Sequence, residues 1–296
     1  MAEPVDPLLP SRLRRNEFIR NNEAAVGRAW FSSAQTWLDF IRPTVMAPFR
    51  ESNGTLPPDP RLAASTASQA NWEGLLDSRV MPTISSAAQG PWEGSVSAGP
   101  PGLEETFDTD PTITAYLIGS RNRLKNFPTE VYALVQRIVA NGIRDGLSIP
   151  GIAEQVGLLL TATGTDRWPN RATTVARTET IGAVNAGAFA GAKAMAQETG
   201  DPNPEKVWLA TDDTRTRPTH NEAEGQRVPL NEPFIVGGFP LNFPGDPSGP
   251  PQEVISCRCS FLHVVQGETI DWTDRQFRQD AEDVWEGFDL QSELEG

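Results

Sequence analysis

Three observations point to an α+β fold. Apolar residues recur at helical spacing almost continuously up to residue 199, the chain becomes rich in Pro and Gly beyond Gly200, and the few strand-like runs are short and confined to that later part. The expected layout is a set of N-terminal helices, a helical bundle over about 112–199 and a small C-terminal β subdomain with long Pro/Gly-rich loops.

Residues 16–42 place Val26, Trp30, Ala34, Trp37, Leu38 and Ile41 at helical intervals, and Pro43 is expected to stop that helix. "SNGTLPPDP" (52–60) reads as a loop, and residues 61–80 read as a second helix with Leu62, Trp72, Leu75 and Leu76 on one face. "QGPWEGSVSAGPPG" (89–102) reads as a linker. The chain therefore divides into an N-terminal helical region (1–88), a linker (89–111), a main domain (112–265) and a C-terminal segment (266–296).

Within the main domain, residues 128–146 carry a stripe of Val131, Leu134, Val135, Ile138 and Val139. Residues 148–160 open with Ser148 as N-cap and Pro150 in the first turn. The longest helix is expected over 170–199, where alternating Ala and Gly would let another helix approach its backbone closely. Beyond it, "EKVWLAT" (205–211) reads as a strand, 232–253 holds too many prolines and glycines for a helix, and "VISCRCSFLHVV" (254–265) is the strongest strand pattern.

The formal net charge is −14, which argues against nucleic-acid phosphate as the principal partner. Ten acidic residues lie between Glu268 and Gly296 against Arg275 and Arg278, whereas Arg12, Arg14, Arg15 and Arg20 make the first twenty residues basic. Neither a signal peptide nor an apolar run of about 18 residues is visible, so a soluble protein of a reducing compartment is expected. Aromatics among the tail acids, Trp272 and Trp285, suggest a docking segment, with Trp30 and Trp37 as further partner-binding candidates.

Both cysteines and both histidines of the chain fall between 220 and 263. On a strand over 254–265, alternation would put Cys257, Cys259, Phe261 and His263 on one face. With His220 upstream, a zinc site of two cysteines and two histidines is one reading, since thiolate and imidazole are preferred zinc ligands. The other is that the cysteines are small buried hydrophobes while His220 bonds a loop. A C-x-C spacing lacks the C-x-x-C form of a redox dithiol. "TDDTRTRPTH" (211–220) offers either a carboxylate base with cationic stabilisers or plain structure, in which Asp213 caps a turn and Arg215 and Arg217 pair with acids. In "ARTET" (176–180), Arg177 and Glu179 face apart, and a buried salt bridge tying the helical part to the β part is expected.

The order of motifs, "GIRDGLSIPGIAEQV", "RATTVARTETIGAVNAGAFAGA", "KVWLATDDTRTRPTHNEAEGQRV", "FPGDP" and "SCRC", resembles the Mu F-like phage head morphogenesis family of minor head proteins across roughly 112–265. The resemblance implies a minor capsid protein, present at low copy number in the virion and assembled in the host cytoplasm. Its partner would be the portal protein, with the major capsid or scaffolding protein as further contacts, and with neither a membrane nor a small-molecule substrate. The matching positions are Arg177, Thr178, Glu179, Asp213, Arg215, Arg217, His220, Cys257 and Cys259, carried as a structural signature rather than a catalytic set. His263 lies outside the family motif, so the fallback metal set is His220, Cys257 and Cys259 with an oxygen from Asp213 or Asp246. The rivals are a metal-dependent hydrolase or transferase built on Asp213, His220, Cys257 and Cys259, and a head-to-tail connector or adaptor. The same domain also occurs fused to toxin modules, of which no sign is visible here.

Overall fold

The computed structural model describes residues 9–51, 66–97, 99–100, 102–211 and 213–264. The order is α1 (Leu9–Glu51), α2 (Thr66–Leu75), a π turn (Leu76–Val80) running into α3 (Met81–Val96), a 3-10 turn (Glu104–Thr109), α4 (Pro111–Leu124), α5 (Phe127–Arg144), α6 (Ile149–Leu159) and α7 (Arg167–Thr199). The C-terminal part follows as β1 (Glu205–Leu209), α8 (Pro218–Glu222), β2 (Arg227–Pro229), β3 (Phe234–Val236), β4 (Phe239–Leu241), α9 (Pro251–Val254) and β5 (Ser260–Val264). This is the expected α+β arrangement, helices first and small antiparallel sheets after them. No helix among the described residues is long and apolar enough to cross a membrane.

α1 does not stop at Pro43; it runs through both Pro43 and Pro48. A proline deletes one backbone hydrogen bond and crowds the preceding turn. Here the continuation beyond it is held by burial of Val45 and Phe49 against the rest of the core. The expected linker is also corrected at its start. Residues 89–96 are the second half of α3, and Trp92 and Val96 on that half are buried. Gly and Pro composition signals a break only when nothing packs on the segment, and α7 packs on this one.

α7 is the axis of the molecule. Every residue from Thr178 to Gly187 is buried, which requires neighbours on all sides and explains why no amphipathic stripe marks this stretch. α3 lies against it so closely that a Cβ on Gly187 would stand 2.0 Å from the Ala88 carbonyl oxygen. The alternation of Ala and Gly thus serves the close approach its composition suggests.

Aromatic side chains fill the other end. Trp30 and Trp37 of α1, Trp72 of α2, Phe127 of α5 and Trp168 of α7 meet in one cluster, with Phe127 at 4.7–5.2 Å from each of the four indoles, centroid to centroid. Edge-to-face pairs of this kind contribute about 0.5–1.5 kcal/mol each beyond their area. The indole N–H groups of Trp37, Trp72 and Trp168 each donate to a backbone carbonyl, of Ser68, Leu124 and Leu159 respectively. Trp30 and Trp37 are therefore interior residues, 1% and 0% exposed, and the expectation that a partner covers them is withdrawn. Trp272 and Trp285, with the whole docking-segment expectation, lie outside the described residues.

The sheet has the order β2-β1-β5, all antiparallel, with β1 in the middle. β3 and β4 form a separate hairpin closed by Gly237 and Gly238, whose φ values of 58° and 84° are those of a type I′ turn. The expected strand over 254–265 is shortened from its front. Val254 closes the single turn α9, residues 255–259 are irregular, and only Ser260–Val264 pair with β1. The chain reverses at Ser256, whose φ is +55°, so a continuous strand is sterically impossible there.

Candidate metal centre

Two short elements bring the sulfur and nitrogen donors together. Arg217 is extended and Pro218 starts the one-turn helix α8. Its last turn sends His220 inward beneath Trp208 of β1, whose ring meets the imidazole edge-on at 5.6 Å between centroids. On the other side, the reversal at Ser256 delivers Cys257 and Cys259 to the same spot. The Ser256 backbone N–H donates to Thr178 Oγ1 at 3.0 Å, and Asn185 Nδ2 donates to the Cys259 and Pro244 carbonyls, each at 3.0 Å. α7 thereby positions the cysteine segment by two side chains projecting from its buried face.

His220, Cys257 and Cys259 are 1%, 2% and 3% exposed, and their donor atoms all lie within 4.8 Å of one another. His220 Nδ1 is 3.3 Å from Cys259 Sγ and 3.7 Å from Cys257 Sγ. The other ring nitrogen, Nε2, is 3.1 Å from Glu253 Oε2, which also accepts from Thr219 Oγ1 at 2.8 Å. An ionised carboxylate can only accept, so the network assigns the proton to Nε2 and leaves Nδ1 facing the sulfurs. Cys257 hydrogen-bonds Cys259 and holds it well below the usual thiol range, with the His220 ring and the Thr211 backbone N–H beside it. The same bond, with burial, pushes Cys257 up.

The remaining sequence candidates fall into other networks. Asp213 is clamped by both Arg258 Nη atoms and by the Arg215 backbone N–H at 2.9 Å. That clamp holds its carboxyl well below the usual carboxylate range, so it supplies neither a base near neutrality nor a free ligand. Arg215 reaches Asp213 at 3.3 Å from an exposed position, while Arg217 Nη2 donates to the Ile255 carbonyl instead of pairing with an acid. Asp246 accepts from the Asn242 and Ser248 backbone N–H groups, at 2.8 and 2.9 Å, and so caps its own turn. His263 sits on β5 opposite Lys206, outside the donor cluster. Thr178 Oγ1 donates to the Thr174 carbonyl at 2.7 Å while accepting from Ser256.

Glu179 forms a buried salt bridge, but its partner is Arg123 of α4 rather than a residue of the β part. The contacts are 2.7 and 3.1 Å, and Tyr116 OH donates to the Glu179 backbone carbonyl at 2.7 Å. The link between the helical and β parts runs instead through Thr178 and Asn185. The charge of Arg177 lowers the pKa of Glu23 of α1, against the larger upward effect of burial.

Glu253 and Arg123 escaped the sequence reading. For Glu253 a signal existed: it is the one acidic residue between Asp246 and Glu268, four positions before Cys257. Arg123 carried none, because it is one of two arginines in α4 and is distinguished from Arg121 only by which acid it meets.

Chemically, a pair of soft cysteine sulfurs with one oriented imidazole is a zinc-type donor set. Among the described residues, one surface cleft of about 290 Å³ is lined by Arg123, Thr178, Glu179 and Ile255. Another, about 620 Å³, is lined by Trp92, Lys193 and Leu230 among others, and none of the three donors lines either.

Comparison with known proteins places this unit. Residues 133–262 match the family described as Phage Mu protein F like protein. Among curated proteins it is similar to NAD(+)–arginine ADP-ribosyltransferase EFV of Enterococcus faecalis (strain ATCC 700802 / V583), at 31% identity over 157 residues, covering 52% of this chain and 31% of that protein. It is also similar to Minor head protein GP7 of Bacillus phage SPP1, at 34% identity over 100 residues, covering 33% of this chain and 31% of that protein. The chain thus spans 31% of the length of each of these relatives. No solved structure matches it.

Proposed function

We propose that the protein is a minor head protein of a tailed phage, which associates with the portal during head assembly and stays in the virion. The observation that carries this reading is the family match over 133–262 together with the similarity to a minor head protein. Two features of the chain support it. The matched unit is tied together by buried hydrogen bonds from α7 to the cysteine segment, as suits a scaffold. A net charge of −14 also lets a protein sit beside packaged DNA without adhering to it.

With Trp30 and Trp37 in the interior, a partner would meet other apolar side chains. Phe40, Ile118, Ile143, Leu147 and Leu158 are exposed and open to such contact. Cross-linking mass spectrometry on purified particles, or on the protein co-expressed with its portal, tests the reading. Cross-links from the helical region to the portal are expected. A protein that is absent from particles and stays monomeric beside the portal would overturn it.

An enzymatic reading draws on the relative named as an ADP-ribosyltransferase. Against it stand the clamped Asp213 and donors buried away from both clefts, since catalysis needs an approachable site. Transfer from NAD+ to an arginine-containing acceptor by the purified chain, above a no-protein control, would move the assignment to that class.

A further inference from the structure

We propose that His220 Nδ1, Cys257 Sγ and Cys259 Sγ together hold a zinc ion, with Glu253 orienting the histidine, and that this ion fastens the β subdomain to α7. The argument begins with distance. A tetrahedral ion bonded to sulfur at about 2.3 Å and to imidazole nitrogen at about 2.05 Å separates those atoms by about 3.6 Å. The observed separations of 3.3 and 3.7 Å straddle that value. A hydrogen bond accounts for the Cys259 contact alone, whereas a single ion accounts for both contacts at once.

Orientation agrees with distance. Metal-bound histidines hand their second ring nitrogen to a carboxylate or carbonyl, which fixes the tautomer and raises the basicity of the ligating nitrogen. Glu253 occupies that place at Nε2 and is itself held by Thr219. Charge agrees as well. Two thiolates and a neutral imidazole cancel the charge of a divalent cation among the ligands themselves, and the Glu253 carboxylate outside them is satisfied by His220 and Thr219. A disulfide is the alternative pairing for two cysteines, but both are free thiols here and only one residue separates them.

The donor set also differs from what alternation along a strand suggests, because His263 has no part in it. Three segments converge on the ion: α8 through His220, the turn before β5 through both cysteines, and α9 through Glu253. The cysteine segment is the one that Thr178 and Asn185 bind to α7. Zinc would therefore join residues that are 37 and 39 positions apart to the central helix.

The test uses the full chain, reconstituted with zinc and then dialysed against zinc-free buffer. Mass-spectrometric metal analysis should find about one zinc per chain, and replacement by cobalt should give thiolate-to-cobalt charge-transfer absorption. Cys259→Ser should lose the metal and His263→Ala should keep it. Glu253→Ala should weaken zinc roughly 10–100-fold in competition with a chromophoric chelator. The cobalt spectrum of the unaltered chain reports thiolate ligation even where Cys259→Ser does not fold. Substoichiometric metal in the folded chain, a cobalt complex without thiolate absorption, or metal loss in folded His263→Ala would overturn the site. Unchanged affinity in Glu253→Ala would overturn the orienting role.

Discussion

Gly187→Ala puts the close approach of α3 and α7 under test. The added Cβ would stand 2.0 Å from the Ala88 carbonyl oxygen and 2.8 Å from its carbon. An ordinary carbon–oxygen contact is about 3.3–3.6 Å, so α3 must retreat by roughly 1.3 Å, and the obstacle is backbone that cannot rotate aside. Retreat of that size loosens Ala87, Ala88, Trp92 and Val96 from the buried face of α7, and a gap of about 0.5–1 Å already forfeits a quarter to a half of each dispersion contact. Overpacking costs about 1–3 kcal/mol, and here the upper end applies. Alanine in a helix returns up to about 1 kcal/mol relative to glycine. The net loss is about 2 kcal/mol, which corresponds to a fall in melting temperature of roughly 3 °C for a chain of this size. Thermal denaturation followed by circular dichroism measures it. Gly94→Ala on the exposed side of α3, where a Cβ meets nothing within 4 Å, is the control and should melt slightly higher than the unaltered chain. If Gly187→Ala melts with or above Gly94→Ala, the close approach of α3 and α7 is refuted.

Two other perturbations follow from buried charge. Burial raises the pKa of Glu23 to about 8, with Arg177 and Arg258 opposing, and neither carboxyl oxygen has a hydrogen-bond partner among the described residues. The folded protein therefore holds a proton that the unfolded chain releases near 4.5, so stability contributed by this group is present at low pH and is lost as pH rises toward 8. Glu23→Gln should melt progressively higher than the unaltered chain from pH 5 to pH 8, and parallel curves would refute the assignment. Glu179→Ala strands Arg123 and should cost about 3 kcal/mol. In a double-mutant cycle with Arg123→Ala, additive losses would show that the pair does not interact.

Pattern alone located the helices well where one face is buried, as in α5, whose stripe of Val131, Val135 and Val139 lies inside as its spacing indicates. It failed where packing overrides local preference. Pro43 was expected to end α1 and Gly90 with Pro91 to open a linker, yet both stretches are helical because buried neighbours, Val45 and Phe49 in one case and Trp92 and Val96 in the other, hold them. The strand over 254–265 was overextended because alternation of apolar residues does not reveal a backbone reversal at Ser256.

The amino-acid sequence by itself determined the class of fold, the family signature and the neighbourhood of the cysteine–histidine cluster, because each of these depends on residue types and their spacing along the chain. Only the tertiary structure decided which groups meet. It put Glu253 rather than Asp213 or Asp246 against His220, removed His263 from the donor set, matched Glu179 to Arg123 and turned Trp30 and Trp37 inward. It also buried Lys206, the second residue of β1, where its ammonium donates to the Asn242 carbonyl and lies 4.4 Å from the Phe189 ring centre, and where burial lowers its pKa to about 7. Such pairings join residues tens of positions apart. Their energies depend on distances of a few ångströms and on the exclusion of water, quantities that come into being only when the helices and the sheet close on one another.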